Sequence, residues 1–364
     1  MVRAPAAGAA RGGRRAGEPD ASVWFSLVGR DRRLLLLLAE HQVLTTEQIA
    51  AIEFTSLRRA QDRLRRLREL GVVFAFRDSY ATGGTSQARF ALGYLGARMI
   101  AARQARPSPT PKAHAERLER LALWPKLSHH LGVNEFFCGL AAHRNPARAD
   151  QFPDAGRLTQ WWPEKRCAEV FWTQRGGSEA RIRPDGYGCW EQHGRVVRFF
   201  LEHDTGTESL KVVARKVADY GAFPADQFGV VLFSLHSARR ETAFRATLAR
   251  FTGRYDPGVV IATTARDLVA PFDPAGPVWA SWTPRTPGAV VRRHHLHELP
   301  ERGPCIDHRT SDEPYSEAAF APGDPGIVRR ITAPDDPRRA VTAHWDEPHH
   351  GDDGVELYDA PDVF

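Results

Sequence analysis

Three acidic residues sit where strand-like runs end, and their types suit phosphoryl chemistry. Asp185 lies in Arg183-Pro184-Asp185-Gly186, inside an expected strand from Arg181 to Trp190. Glu202 ends the apolar run Val196-Val197-Arg198-Phe199-Phe200-Leu201, and Asp204 follows two residues later. On a strand Glu202 and Asp204 share a face and His203 points away. An unpaired carboxylate buried at such a place is costly. Two or three carboxylates converging from adjacent strands form a hard-oxygen site suited to Mg²⁺. An ion held there can activate water and stabilise charge on a phosphodiester. The same residues also have purely structural uses: Asp185 can cap the turn before Gly186, and Glu202 can pair with Arg183.

A second cluster is basic. Ser56 is an N-cap for an expected helix from Leu57 to Leu70, closed by Gly71. Leu57, Ala60, Leu64 and Leu67 recur at helical spacing and form one apolar stripe. The remaining faces carry Arg58, Arg59, Arg63, Arg65, Arg66 and Arg68. Guanidinium groups gathered so closely repel one another unless phosphates neutralise them. The bland alternative is a solvated face on a small helical module.

The elements around that helix point the same way. Asp31 to His41 reads as a helix, and Thr45 with Gln48 forms a capping box for a second short one. After the arginine helix, Val72 to Phe76 and Gln87 to Leu92 read as two strands turning at Gly83-Gly84. Three helices and a hairpin follow the order of a winged helix-turn-helix, whose third helix enters the major groove of double-stranded DNA. Arg77 and Arg89 flank the wing within reach of phosphates. Further along, Trp124 to His143 reads as a helix, and Glu169 to Thr173 and Arg195 to Asp204 as strands. Thr207 to Tyr220 reads as a helix, Phe228 to Leu235 as a strand, Arg239 to Arg250 as a helix and Val259 to Thr263 as a strand. Such mixing implies an α/β core.

Charge supports a polyanionic partner. The 364 residues carry a net +6, but the segment from Glu301 onward holds 15 acidic residues against 6 arginines. The body is therefore strongly basic and the tail acidic. Four cysteines, Cys138, Cys167, Cys189 and Cys305, include no C-x-x-C pair, which argues against a zinc ribbon or a disulfide framework. The first residues lack the apolar core of a signal peptide, and Leu34 to Leu38 is far too short to span a membrane. The expectation is a cytoplasmic protein with no membrane partner. No P-loop, strand-linked G-x-G-x-x-G or G-x-S-x-G motif occurs. No heptad seam fixes an oligomeric state; winged helices often bind as dimers, so a homodimer stays open.

Several motifs together resemble the replication-relaxation family of actinobacterial plasmids and other mobile elements. They are Arg89-Phe90-Ala91-Leu92-Gly93-Tyr94-Leu95-Gly96, His130-Leu131-Gly132-Val133-Asn134-Glu135, Trp162-Pro163-Glu164, Pro184-Asp185-Gly186, Leu201 to Glu208, and Lys216-Val217-Ala218-Asp219-Tyr220. The resemblance implies a winged helix joined to an α/β domain like the restriction endonucleases of the PD-(D/E)XK type. It also implies work in plasmid replication, relaxation or transfer beside replication or conjugation proteins. Asp185 then matches the first acid of the nuclease pattern and Glu202 the second, both as Mg²⁺ ligands. The lysine expected two residues after the second acid is Asp204 instead. Some relatives of that fold supply the cation from a neighbouring helix, where Lys211 and Lys216 are available. Lys216 lies nearer the Leu210/Val213/Val217/Tyr220 face, so it is preferred.

The expected organisation is a disordered basic arm over 1–22, a winged helix over 23–104 and a Pro-rich linker over 105–114. A nuclease-like α/β domain over 115–270, an irregular extension over 271–301 and a disordered acidic tail over 302–364 follow. A non-enzymatic winged-helix regulator or relaxation accessory factor, with a degenerate nuclease fold, is the alternative function.

Overall fold

The computed structural model describes residue 23 and residues 26–78, 86–152, 154–173, 182–223, 225–252, 258–282 and 291–302. The expected basic arm, the turn at Gly83-Gly84 and the acidic tail beyond residue 302 lie outside those residues. The chain is a mixed α+β protein with two sheets.

The first sheet is small. Helix α1 (Gly29–His41) leads to β1 (Leu44–Thr45), α2 (Thr46–Glu53) and α3 (Leu57–Glu69). Strands β2 (Val73–Phe76) and β3 (Arg89–Leu92) pair antiparallel, and β1 joins the other side of β3. The capping box forms as the sequence predicts: Gln48 N donates to Thr45 Oγ1 and Thr45 N donates to Gln48 Oε1. Ser56 caps α3 through Arg59 N. Gly71 takes φ +75°, a left-handed conformation that costs glycine little. Ala60, Leu64 and Leu67 are buried as a stripe, whereas Leu57 is exposed at the first turn.

Helix α4 (Tyr94–Arg103) follows. The expected linker over 105–114 is shorter than its prolines suggest. Thr110 caps α5 (Pro111–Ala122), and Pro111 suits the first helical position because its missing N–H has no helical partner there. Helix α6 (Leu127–Ala141) then runs into the second sheet.

That sheet has six strands in the order β4-β5-β6-β7-β8-β9. They are β4 (Arg157–Pro163), β5 (Gly186–Gln192), β6 (Arg195–His203), β7 (Val230–Leu235), β8 (Ile261–Ala265) and β9 (Ala280–Trp282). The β6-β7-β8 pairings are parallel and the flanking ones antiparallel. Helices α8 (Leu210–Ala222) and α9 (Ala238–Thr252) provide the two parallel crossovers. Residues Glu169–Thr173, expected as a strand, belong instead to helix α7 (Glu164–Thr173). A short β-branched and aromatic run reads equally as strand or buried helix, and here Phe171 packs on Tyr187 and Phe200 across the sheet. Helix α8 starts later than expected, with Ser209 rather than Thr207 as its cap. The region beyond Pro271 is less irregular than its prolines imply: β9 pairs with β8, and Trp279 is fully buried.

One hydrophobic core joins both sheets. It runs from Leu35, Leu64 and Ile100 through Phe136, Phe137 and Trp161 to Phe199 and Trp279. Polar groups on α6 reinforce the join. Leu131 O accepts from Gln48 Nε2 at 2.9 Å, Asn134 Nδ2 donates to Val43 O at 2.9 Å, and His130 Nε2 donates to His41 O at 2.7 Å. The His41 ring stacks on Trp161 at 3.6 Å, fully buried, with no hydrogen bond to either ring nitrogen. A second core on the opposite face of the sheet gathers Phe171, Phe200, Val213, Tyr220 and Phe244. Among the described residues no helix is long and apolar enough to cross a membrane.

Two predictions follow from this packing. Burial first, and His130 second, hold the His41 pKa well below its ordinary value. The unfolded chain therefore takes up a proton that the folded chain refuses, so stability is full above pH ~6.5 and falls as pH drops below it. His41→Phe keeps the stack and should flatten part of that slope in denaturant melts; identical slopes in the two proteins would exclude the effect. Arg63 pairs with the fully buried Asp31, Nε to Oδ1 at 2.9 Å, and its Nη2 donates to Ser26 O at 2.9 Å. Arg63→Ala should cost about 3–5 kcal/mol by stranding a buried charge. The exposed neighbour Arg59→Ala should cost less than about 0.5 kcal/mol.

Candidate functional site

The register of the second sheet brings the acids together. Gly186 pairs with Leu201, so Asp185, just before the start of β5, stands opposite Glu202 near the end of β6. Glu202 shares the face of Phe200, which α8 covers, and only 3% of it is exposed. Residues Lys216 and Tyr220, one turn apart on α8, both reach it. Lys216 Nζ lies 2.7 Å from Glu202 Oε2, and Tyr220 Oη donates to Oε1 at 2.6 Å. Asp185 Oδ2 accepts from His203 N at 2.7 Å. On the α6 side, His129 Nε2 lies 3.3 Å from Asp185 Oδ2 and donates to His203 O at 2.9 Å. Gly132 permits this approach, because a Cβ there would come within 2.3 Å of His203 Nε2.

The electrostatics follow from burial and neighbours. Burial first, and the Asp185 charge second, push Glu202 up to about 7 against the pull of Lys216 and Tyr220. Burial also acts to raise Asp185, but His129, Lys216 and the His203 N–H outweigh it and hold the carboxyl below its usual range. The hydrogen bond to Asp185 holds His129 above its ordinary value despite burial. Burial works to lower Lys216, yet Glu202 and Asp185 keep it above its usual value. Burial, then Arg266 and His129, push His203 down to about 3, so its ring stays neutral.

Asp204 does not join this cluster. Strand β6 ends at His203, and the Asp204 carboxylate turns to Arg240, with Nη2 to Oδ1 at 2.7 Å. Burial acts to raise its pKa, and Arg240 overrides that and holds it low. The expected face-sharing with Glu202 fails because the strand stops one residue too soon. Lys211 is exposed, as the helical wheel predicts. Glu202 takes Lys216 and Tyr220 as partners, not Arg183. Sequence reasoning missed His129 and Tyr220 as members of the cluster. Tyr220 carried a signal: it lies four residues after Lys216, on the same helical face.

The donor set fits a hard divalent cation. Mg²⁺ commonly takes only one or two protein carboxylates and completes its shell with water and phosphate. Asp185 and Glu202 supply two, and each carboxylate has about four lone-pair sites, so the hydrogen bonds present leave some free. The like-charge pressure of Asp185 on Glu202 is what a divalent ion would relieve. Among the described residues no group of three or more His, Cys, Asp or Glu side chains is placed to hold a metal.

The arginine helix divides in two. Arg58, Arg59, Arg65, Arg66 and Arg68 on α3 are exposed, with Asp62 3.2 Å from both Arg58 and Arg65. Arg63, expected among the DNA contacts, instead faces inward to Asp31, which sits at the start of α1 with no solvent to neutralise it. Arg77 is exposed at the hairpin. Arg89 is largely covered and pairs with Asp78 at 2.7 Å.

A family model described as replication-relaxation matches residues 35–228. No curated protein and no solved structure matches the chain. The matched segment starts in α1 and ends before β7, so it contains the arginine helix, the hairpin, α6 and every member of the Asp185–Glu202–Lys216 cluster. The chain belongs to the replication-relaxation family.

Proposed function

We propose that this protein binds double-stranded DNA during plasmid or mobile-element replication or relaxation, and that its second sheet is a nuclease-like module acting on a phosphodiester. The observation that carries the reading is Lys216 Nζ, 2.7 Å from Glu202 and delivered from the helix after β6, beside Asp185 on the paired strand. Two acids and a lysine at one strand end are the parts that metal-assisted phosphodiester hydrolysis needs, though here the lysine comes from α8.

In this reading residues 29–103 act as a winged helix-turn-helix. Helix α3 enters the major groove, and Arg58, Arg59 and Arg66 meet phosphates or base edges. Asp185 and Glu202 hold Mg²⁺, which when bound would polarise the phosphoryl group and lower the pKa of water. Lys216 favours the ionised form of Glu202 against burial and sits where it can orient a phosphate oxygen. His129 fixes Asp185 through its hydrogen bond and restricts its rotation. Tyr220 holds the second oxygen of Glu202, so the carboxylate plane is set before substrate arrives.

A non-enzymatic accessory factor is the second reading, and one observation favours it. Both oxygens of Glu202 already accept from protein donors, and Lys216 and His129 balance the two acids, so the cluster is also a complete structural network. In that case the module binds or assembles, as a homodimer or with replication or conjugation proteins.

Supercoiled plasmid with Mg²⁺ or Mn²⁺ separates the readings. We expect nicking that Asp185→Asn and Glu202→Gln abolish while duplex binding persists; tight binding with no nicking under either metal supports the accessory factor. Duplex affinity should fall with salt. Replacing Arg58, Arg59 and Arg66 by alanine should flatten the log–log salt slope by up to about 2.7, at about 0.9 per phosphate contact. An unchanged slope would remove α3 as the contact surface.

A further inference from the structure

A cavity of about 950 Å³ opens between α1, α4, α5 and the β4–α7 junction. This volume lies at the upper end of the ~300–1,000 Å³ range of ligand sites. Its wall is strongly basic: Arg106, Arg117, Arg120, Lys165 and Arg166 line it, against Glu40 as the acid. Arg166 is almost completely buried and lies over the Trp162 ring at 5.5 Å.

A second observation points to a ligand. His114 also lines the cavity, is 6% exposed, and its Nε2 is buried with no hydrogen-bond partner among the described residues. Its ring lies 5.5 Å from that of Tyr94. A buried polar atom left without a partner is costly. Burial, then Arg117, hold the His114 pKa below its ordinary value, which favours the neutral ring. Arg117, whose side chain stays exposed, is held below its usual value by desolvation first and by the neighbouring Arg120 second. Leu92, Ile100 and Pro107 add an apolar wall suited to base faces.

Position links this cavity to the acid cluster. Pro163, in its lining, pairs with Gly186, the residue after Asp185, and Gly186 pairs with Leu201, the residue before Glu202. Neighbouring strands lie about 4.8 Å apart, so this part of the lining and the acids share one end of the sheet. From this geometry we infer that the cavity binds nucleotide phosphates of a single-stranded DNA segment and leads that strand to Asp185 and Glu202. The inference rests on the nucleic-acid reading above but uses residues outside α3 and outside the acid cluster. Duplex DNA would be located by α3, and a melted strand would enter the cavity.

The test uses the full chain and a short fluorescein-labelled oligothymidylate followed by fluorescence anisotropy. Arg117→Ala/Arg120→Ala should weaken oligothymidylate binding and make its log–log salt slope shallower by about 1.4, at about 0.7 per single-strand phosphate. Its thermal melt and its duplex binding through α3 should stay as in the unchanged protein. Arg58→Ala/Arg59→Ala should do the reverse, lowering duplex binding and sparing the oligothymidylate. His114→Phe, which fills the ring position without a polar nitrogen, should also weaken the oligothymidylate. Equal oligothymidylate binding by the wild type and Arg117→Ala/Arg120→Ala would overturn the inference, as would no binding at low ionic strength. Competition by ATP or inorganic phosphate as strong as by unlabelled oligothymidylate would assign the cavity to a free phosphate ligand and overturn the strand. Loss of nicking alone, with oligothymidylate binding intact, would count against the catalytic reading and leave the strand site supported.

Discussion

Helix α6 lies between the two sheets, and its covered polar groups, His129, His130 and Asn134, are satisfied from one side or the other. Consecutive residues on a helix diverge by about 100°, and the adjacent His129 and His130 use that divergence. His130 turns to the His41 carbonyl of the N-terminal helices, and His129 turns to Asp185 and the His203 carbonyl of the sheet. Asn134, Leu131 O and Gly132 extend the same division. Each such bond adds about 1 kcal/mol net, but leaving one unmade in a buried place costs about 1–3 kcal/mol. The helix therefore has one acceptable depth and rotation. The arginine helix and the acid cluster consequently sit on elements that share one hydrophobic core and these α6 contacts.

The acids are arranged by charge balance. Asp185 and Glu202 repel, and the repulsion is tolerated because Lys216 and His129 approach from opposite faces of the sheet. Asp204 does different work. Its carboxylate binds Arg240, whose Nη2 also reaches Glu208 O, while Arg266 Nη2 takes the Asp204 carbonyl at 2.6 Å. These contacts shape the turn between β6 and α8, and that turn sets where α8 begins. Since Lys216 and Tyr220 ride on α8, the third acid acts on Glu202 through the helix start rather than through a shared ion.

How much of this was legible depended on range. The capping box at Thr45 and Gln48, the Ser56 cap and Gly71 are local rules, and the first three helices and the hairpin strands follow from them. The pairing of Asp185 with Glu202 was legible because strand ends and a helical wheel sufficed to bring Lys216 near. The role of Arg63 was not, because its partner Asp31 lies 32 residues away and only the packing of α3 on α1 makes them meet. Strand β4 was not anticipated either: Trp162 read only as part of the motif Trp162-Pro163-Glu164, and the pleat becomes visible only against β5. The segment Glu169–Thr173 shows the converse, where β-forming residues are overruled by burial against Tyr187 and Phe200. His129 was passed over since a histidine pair on a helix has many bland explanations, and its distinction lies wholly in what the sheet presents to it.

Helix α1 also constrains how the two basic surfaces cooperate. Asp31 near its start anchors α3 through Arg63, while Glu40 near its end lines the basic cavity. Nine residues of helix separate them, about 14 Å at 1.5 Å per residue. This helix is buried along Leu34 to Leu38. A nucleic acid touching both surfaces would have to match that spacing. Bending or strand separation of the nucleic acid would bring it to that match, with the energy of the deformation drawn from the cationic contacts.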